Sequence, residues 1–400
     1  MKLLLLLSVL LTCLDSLLKM KIGGFHLQAG IIISWLIFSI FILTKPNSVK
    51  NVLVSDKSAV IAAVAIALYA FMALDFMVYS TLAMYLAAAY IGYQTLNYFK
   101  NDLKFIEKVT WLSIWCLICT GLAQYTLSNF FNFQLTLGDL TADYYQTAFG
   151  LRLRGFFLEP NWYGLVLIQW FGLMLFCLAR RGETRYPWLM TLSVFLCLLL
   201  SDNRLVLLVA LGFAFYGYIS IKTPKRLGSA LLISPYLLIW LAVVFFFAIS
   251  LTEFGRVFDG DRSASARTVA LLKTLGYMVD NFTFGEWITG KGFSNWGYYS
   301  NEYIRPPSNY LGVQPLTRRD NGEVYVVLFE MGLVGLGLII FEIHKILRKP
   351  LGIEYLILKL VYASTFICAI FYPLYTFMLY LIPFLIARAL LNDQAGSHAK

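Results

Sequence analysis

Long apolar runs recur along this chain and constrain its fold more than any other feature. A helix needs ~20 apolar residues to cross a hydrocarbon core. On that ruler about twelve spans are predicted, near 2–18, 29–44, 58–74, 76–93, 109–127, 162–179, 187–201, 204–220, 229–251, 323–342, 354–371 and 374–391. Met1 to Leu18 reads as an uncleaved first span, because no A-x-A site follows Leu3–Leu7. Tyr372-Pro373 reads as the turn between the last two spans. Hydrophobic residues make up 60% of the chain and charged residues 14%, with a mean hydropathy of +0.72. The expected fold class is therefore an all-α polytopic membrane protein, with residues 1–400 as one integral membrane domain.

The charges in the connections predict an orientation. Lys45, Lys50 and Lys57; Lys100, Lys104 and Lys108; Arg180, Arg181 and Arg185; Lys222, Lys225 and Arg226; and Lys345, Arg348 and Lys349 fall in alternate connections. By the positive-inside rule both termini are cytoplasmic. The net charge of +10 then reports topology, and nucleic acid is set aside as a partner. Two long connections, 128–161 and 252–322, fall outside, and loops of that length usually carry function. Within the second, Ser263 to Val279 reads as an amphipathic helix with a Ser N-cap, suited to lie on the outer membrane surface. The six cysteines lie in apolar segments and read as core residues, and the three histidines form no ligand cluster. No metal-binding motif or P-loop is present, so neither a metal nor another cofactor is expected.

The outside connections collect arginine against the orientation rule. Arg152 and Arg154 precede span six, and Arg204 follows Ser201-Asp-Asn at the start of span eight. Arg256, Arg262 and Arg267 lie early in the large loop, and Arg318 and Arg319 end it beside Asp320 and Asn321. Charge at membrane depth costs about 3 kcal/mol or more per group, so these cations need a reason. One reading is lipid headgroups, or pairing with Asp202, Glu253, Asp259 and Asp261. The other is a diphosphate site, because the guanidinium fork matches phosphate oxygens and keeps its charge. In Glu159-Pro-Asn161, Asn161 is placed to N-cap the span starting at Trp162. Glu159 has two readings, a general base or a partner that positions Arg154. Asp202 reads as the partner of Arg204 or as a second acid.

These pieces resemble the bacterial O-antigen ligase and polymerase (Wzy-type) superfamily, and they occur in its order. The matching stretches are Arg152-Leu-Arg-Gly-Phe-Phe-Leu-Glu-Pro-Asn161, Ser201-Asp-Asn-Arg204, Arg267 with the Gly290-Lys-Gly292 turn, and Asn321 to Gly335. The likeness covers about residues 110–345. It implies a GT-C-like, metal-independent glycosyltransferase of the bacterial cytoplasmic membrane, with its site facing outward. The implied donor is an oligosaccharide on undecaprenyl diphosphate, and a chain-length-regulating protein is the implied partner beside membrane lipid. Arg154, Glu159, Arg204 and Arg267 take the catalytic roles. Arg152, Asn161, Asp202, Arg256, Arg262, Arg319, Asp320 and Asn321 line the substrate. Ligases of this family commonly carry a histidine near the end of the large loop, and the loop here has none. Polymerase is therefore the expected activity, ligase the alternative, and a lipid-linked-glycan flippase the alternative from another class.

Overall fold

The computed structural model describes residues 2–14, 19–22, 25–44, 64, 68, 102–131, 133, 146–147, 150–157, 160–222, 262–293, 295–300, 323–348, 353–369 and 382–397. Among them the chain is mostly helical. The helices are α1 (Lys2–Cys13), α2 (Ala29–Thr44), α3 (Leu103–Phe130), α4 (Pro160–Arg181), α5 (Trp188–Leu200) and α6 (Arg204–Lys222). After them come α7 (Arg262–Asn281), α8 (Phe284–Thr289), α9 (Trp296–Tyr299), α10 (Glu323–Leu347), α11 (Ile353–Ala369) and α12 (Ile382–Ser397). Four of these helices, α3, α4, α6 and α10 from Val324, are long and apolar enough to cross a membrane. The predicted spans at 58–74 (apart from 64 and 68), 76–93 and 229–251, with the Tyr372-Pro373 turn, fall outside the described residues.

Two short hairpins interrupt the helical pattern. β1 (Lys19–Ile22) pairs antiparallel with β2 (Phe25–Gln28), and β3 (Gln146–Thr147) pairs with β4 (Gly150–Leu151). The first span is shorter than expected, because α1 ends at Cys13 and a strand begins at Lys19. A helix of that length reaches only ~18 Å.

Helix α4 is the centre of the core. It is apolar on every side, and such a helix belongs inside a bundle. Every residue from Trp162 to Cys177 is buried, against α3, α5, α6, α11 and α12. Gln169 is its one strongly polar interior side chain, and its amide donates to Thr365 Oγ1 of α11 at 2.6 Å. Such a bond fixes the pairing of two apolar helices where hydrophobic contact alone does not. The outward faces of α5 and α6 are apolar as well, with Leu189, Leu192, Leu199, Leu208 and Phe215 exposed. That surface fits acyl chains rather than water.

Charged contacts tie one end of the bundle together. Lys2 pairs with Asp102, which also N-caps α3. Arg181 pairs with Glu107 at 2.6 Å, and Arg180 lies over the Tyr355 ring at 5.4 Å. Lys359 Nζ donates to the Leu347 carbonyl at 2.9 Å, and Arg388 pairs with Glu342 at 2.7 Å. These contacts link the starts of α1, α3 and α11 to the ends of α4 and α10.

Parallel packing of α1 on α3 also places Cys13 and Cys116 as neighbours. Mild oxidation of the protein in its membrane is expected to join them. Peptide mapping should show a Cys13–Cys116 disulfide and no comparable loss of the Cys177 thiol.

Candidate functional site

The opposite end of the bundle holds the arginine motif. Residues 150–157 leave helical geometry there, so their backbone groups need partners. Side chains of α3 supply them. Asn129 binds Leu151 on both sides, accepting from its N–H at 2.7 Å and donating to its carbonyl at 3.1 Å. Gln124 Oε1 accepts from the N–H groups of Arg154 (3.0 Å) and Gly155 (3.2 Å). Leu153 N–H reaches the Leu200 carbonyl at 2.9 Å, at the end of α5. Tyr163, fully buried, donates to the Leu117 carbonyl at 3.0 Å and braces α4 against α3.

Arg152 closes the carboxyl end of α5. Its Nε donates to the Ser201 carbonyl at 2.8 Å, and its Nη2 to the Asp202 carbonyl at 3.1 Å and to Asn161 Oδ1 at 3.4 Å. A cation on the last carbonyls of a helix satisfies orphan acceptors and meets the negative end of the dipole. Asp202 sits at φ 48, the only described non-glycine residue with positive φ, and makes the sharp turn into α6. Asn203 then caps α6, accepting from Val206 N–H at 3.3 Å, while its amide donates to the Asn161 carbonyl at 3.2 Å. The amino termini of α4 and α6 thus meet. Arg204 is the first residue of α6, as expected from the sequence, with a 74% exposed side chain 3.8 Å from Asp202.

Two expectations are corrected here. Helix α4 starts at Pro160, a residue preorganised for a first helical position. Asn161 therefore lies in the first turn instead of capping it, and faces Arg152 and Asn203. Helix α7 starts at Arg262, so Ser263 is helical and is not its cap. Leu158 and Glu159 lie outside the described residues, as do Arg256, Arg319, Asp320 and Asn321. Arg262 and Arg267 are placed only as positions on α7.

A second polar arrangement surrounds a break in α10. Gly332 has φ 61 and ψ −159, and the helix kinks there. Gly290 (φ 77) ends α8 directly against the Glu330–Met331 peptide, and Gly332 lies directly against the Ile288 carbonyl. Only glycine allows both this conformation and this approach. Lys291 N–H donates to the Phe329 carbonyl at 2.9 Å and Gly292 N–H to the Glu330 carbonyl at 3.0 Å. The Glu330 carboxylate is fully buried and accepts from Trp296 N–H at 3.0 Å. In the sequence the Gly290-Lys-Gly292 turn and Glu330 lie in two separate stretches, with nothing to join them. In the fold they form one joint. The stripe Leu271, Thr274 and Met278 of α7 is buried on the same joint, against Tyr325, Val326 and Phe329, so protein rather than lipid covers it.

Lys291 pairs with Glu286 and lies 5.4 Å from the Phe282 ring and 5.7 Å from the Tyr299 ring. Burial alone would raise the Glu286 carboxyl, but Lys291 and the Thr283 donors outweigh it and hold it below its ordinary value. Burial likewise opposes the Lys291 charge, and Glu286 overrides it and raises the ammonium above its ordinary value. The chain matches no family model, and no curated protein is similar to it.

Gln124→Leu removes the acceptor for two N–H groups and is expected to cost about 1–3 kcal/mol per donor left buried and unpaired. A lowered thermal unfolding midpoint in detergent checks this. A lowered folded-state value for Glu286 stabilises the joint in full above the ordinary glutamate value. That stabilisation is lost as pH falls through the lower value. The protection of the Lys291 and Gly292 N–H groups against hydrogen exchange, relative to the intrinsic rate at each pH, should accordingly be higher at neutral pH than in acid. Gly332→Ala should lower that protection at both.

Proposed function

We propose that this chain is a membrane glycosyltransferase that polymerises oligosaccharide repeat units carried on undecaprenyl diphosphate. In this reading it spans the bacterial cytoplasmic membrane about twelve times, with both termini inside and the site on the outer face. The observation that carries the reading is the meeting of two helix amino termini, at Pro160 and Arg204, beneath an exposed guanidinium. Helix amino termini favour anions, and arginine adds a charge that does not titrate. The end of α5, which would repel an anion, is covered by Arg152. A diphosphate is the anion that a lipid-linked donor brings to such a place.

In this proposal the roles are those that the resemblance implies. Arg152, Asn161, Asp202 and Asn203 hold the frame. Arg154 and Arg204, joined by Arg267 from the large loop, bind the diphosphate and take up the charge that grows on it. A hydroxyl of the acceptor glycan attacks the anomeric carbon of the donor, and the bond from that carbon to the diphosphate oxygen breaks. Undecaprenyl diphosphate leaves, and the hydroxyl proton passes to Glu159 or to water. Arg256, Arg262, Arg319, Asp320 and Asn321 line the glycan path. No metal or other cofactor enters this scheme. A chain-length-regulating protein is the proposed partner. Transfer to lipid or protein, as in ligases, uses the same donor site with a different acceptor.

One observation favours a transporter of the lipid-linked glycan instead. Transporters commonly place broken helices and buried charge at their substrate sites, and α10 breaks at Gly332 beside buried Glu330. The test is turnover of the purified protein in nanodiscs with its own lipid-linked repeat unit and EDTA present. A ladder of lengthened lipid-linked glycan is expected. Arg154→Ala, Arg204→Ala and Arg267→Ala should each lower its rate about a hundredfold or more. Transfer only to an added acceptor would establish a ligase. Passage of the glycan across a vesicle wall without turnover would establish the transporter and end the enzyme reading.

A further inference from the structure

We propose that the α7–α8 corner is a membrane-seated element, with Val279 and Phe284 in the leaflet farther from the charged end of α10. This inference concerns the lipid surface of the loop and is independent of the enzymatic reading. Its basis is depth. The carboxyl end of α10 is fixed at a polar boundary by Glu342 with Arg388, by Lys345, and by Lys359 on the Leu347 carbonyl. Gly332 stands thirteen residues before Lys345, or ~20 Å along a helix. The hydrocarbon core is ~30 Å thick. The break therefore lies inside the core, in the half away from the charged end.

The loop is pinned at that depth. Lys291 and Gly292 bond the carbonyls of Phe329 and Glu330, and Gly290 touches the Glu330–Met331 peptide. Phe282 lies 5.3 Å from the Phe329 ring and Tyr277 6.0 Å from it. Non-helical backbone at membrane depth survives only where protein covers it. Here Gly290, Gly292, Phe293, Asn295 and Trp296 are all buried. On the outward side of the same corner, Val279 is 70% exposed and Phe284 82% exposed. The exposed apolar band of α10 begins with Leu333 and Val334, directly after the break. The corner is thus level with a surface already suited to lipid. Asp280 and Asn281, exposed beside Val279, belong at the headgroups. The two apolar side chains then anchor the corner at the headgroup–acyl boundary, as interfacial elements do.

The test replaces Phe284 with a diazirine-bearing phenylalanine, which keeps the side-chain shape, in the full chain. The protein is placed in vesicles of phosphatidylethanolamine and phosphatidylglycerol, irradiated, and its peptides weighed. Position 192, exposed on the apolar face of α5, serves as the lipid reference. Position 185, exposed in the connection before α5, serves as the water reference. The expected result at 284 is the several-fold excess of phospholipid over water adducts seen at 192. A water-adduct ratio like that at 185 overturns the proposal. A cross-link to another segment of this chain, or to a second copy, overturns it too, because protein and not lipid would then cover the corner.

Discussion

Backbone polar groups in an apolar bundle must be satisfied from within, and the described structure depends on this constraint wherever the chain leaves helical geometry. At 150–155 the partners are Gln124, Asn129 and the end of α5. At 201–202 the partner is Arg152. At the break in α10 they are the N–H groups of the Gly290–Gly292 turn. In each place a segment distant in sequence supplies the partner, so the irregular segments also hold the bundle together. The same side chains therefore satisfy the backbone and join the helices.

That economy changes how the arginines are understood. A cation near a membrane has two physical uses, to offset orphaned carbonyls or to hold an external anion. Arg152 serves the first use, with three hydrogen bonds to groups of the chain. Arg204 is mostly exposed beside the Asp202 carboxylate, the setting on which the proposed anion site rests. The charged end of the bundle contrasts with this. There Lys2, Arg181 and Arg388 each meet a carboxylate, and Arg180 meets an aromatic ring.

Much of the helical layout was legible in the sequence. The apolar runs at 29–44, 187–201 and 204–220 correspond closely to α2, α5 and α6, because polar or turn-forming residues bound them sharply. Arg204 at the head of its helix was legible for the same reason, since Ser201-Asp-Asn has no place in an apolar span. The roles of Asn161 and Ser263 were misread by a residue or two, within the uncertainty of helix ends. Gln124 was missed because it sits inside an apolar run, where one polar residue is indistinguishable from a tolerated exception, and Asn129 because it falls just past that run. Their signal was present in one form: Gln124, Ser128 and Asn129 cluster near the end of a single span.

The sequence alone determined that this chain is helical and apolar enough to be membrane-embedded, and where many of its helices begin and end. Those properties follow from local composition and from the length needed to cross a bilayer. Only the tertiary structure decided which arginine closes a helix and which stands exposed. It alone showed that the Gly290 turn seals a break forty-two residues away at Gly332, and that α7 hides its apolar stripe on protein. Hydrogen bonds and close contacts between distant segments decide these matters, and no local pattern of residues records which segments will meet.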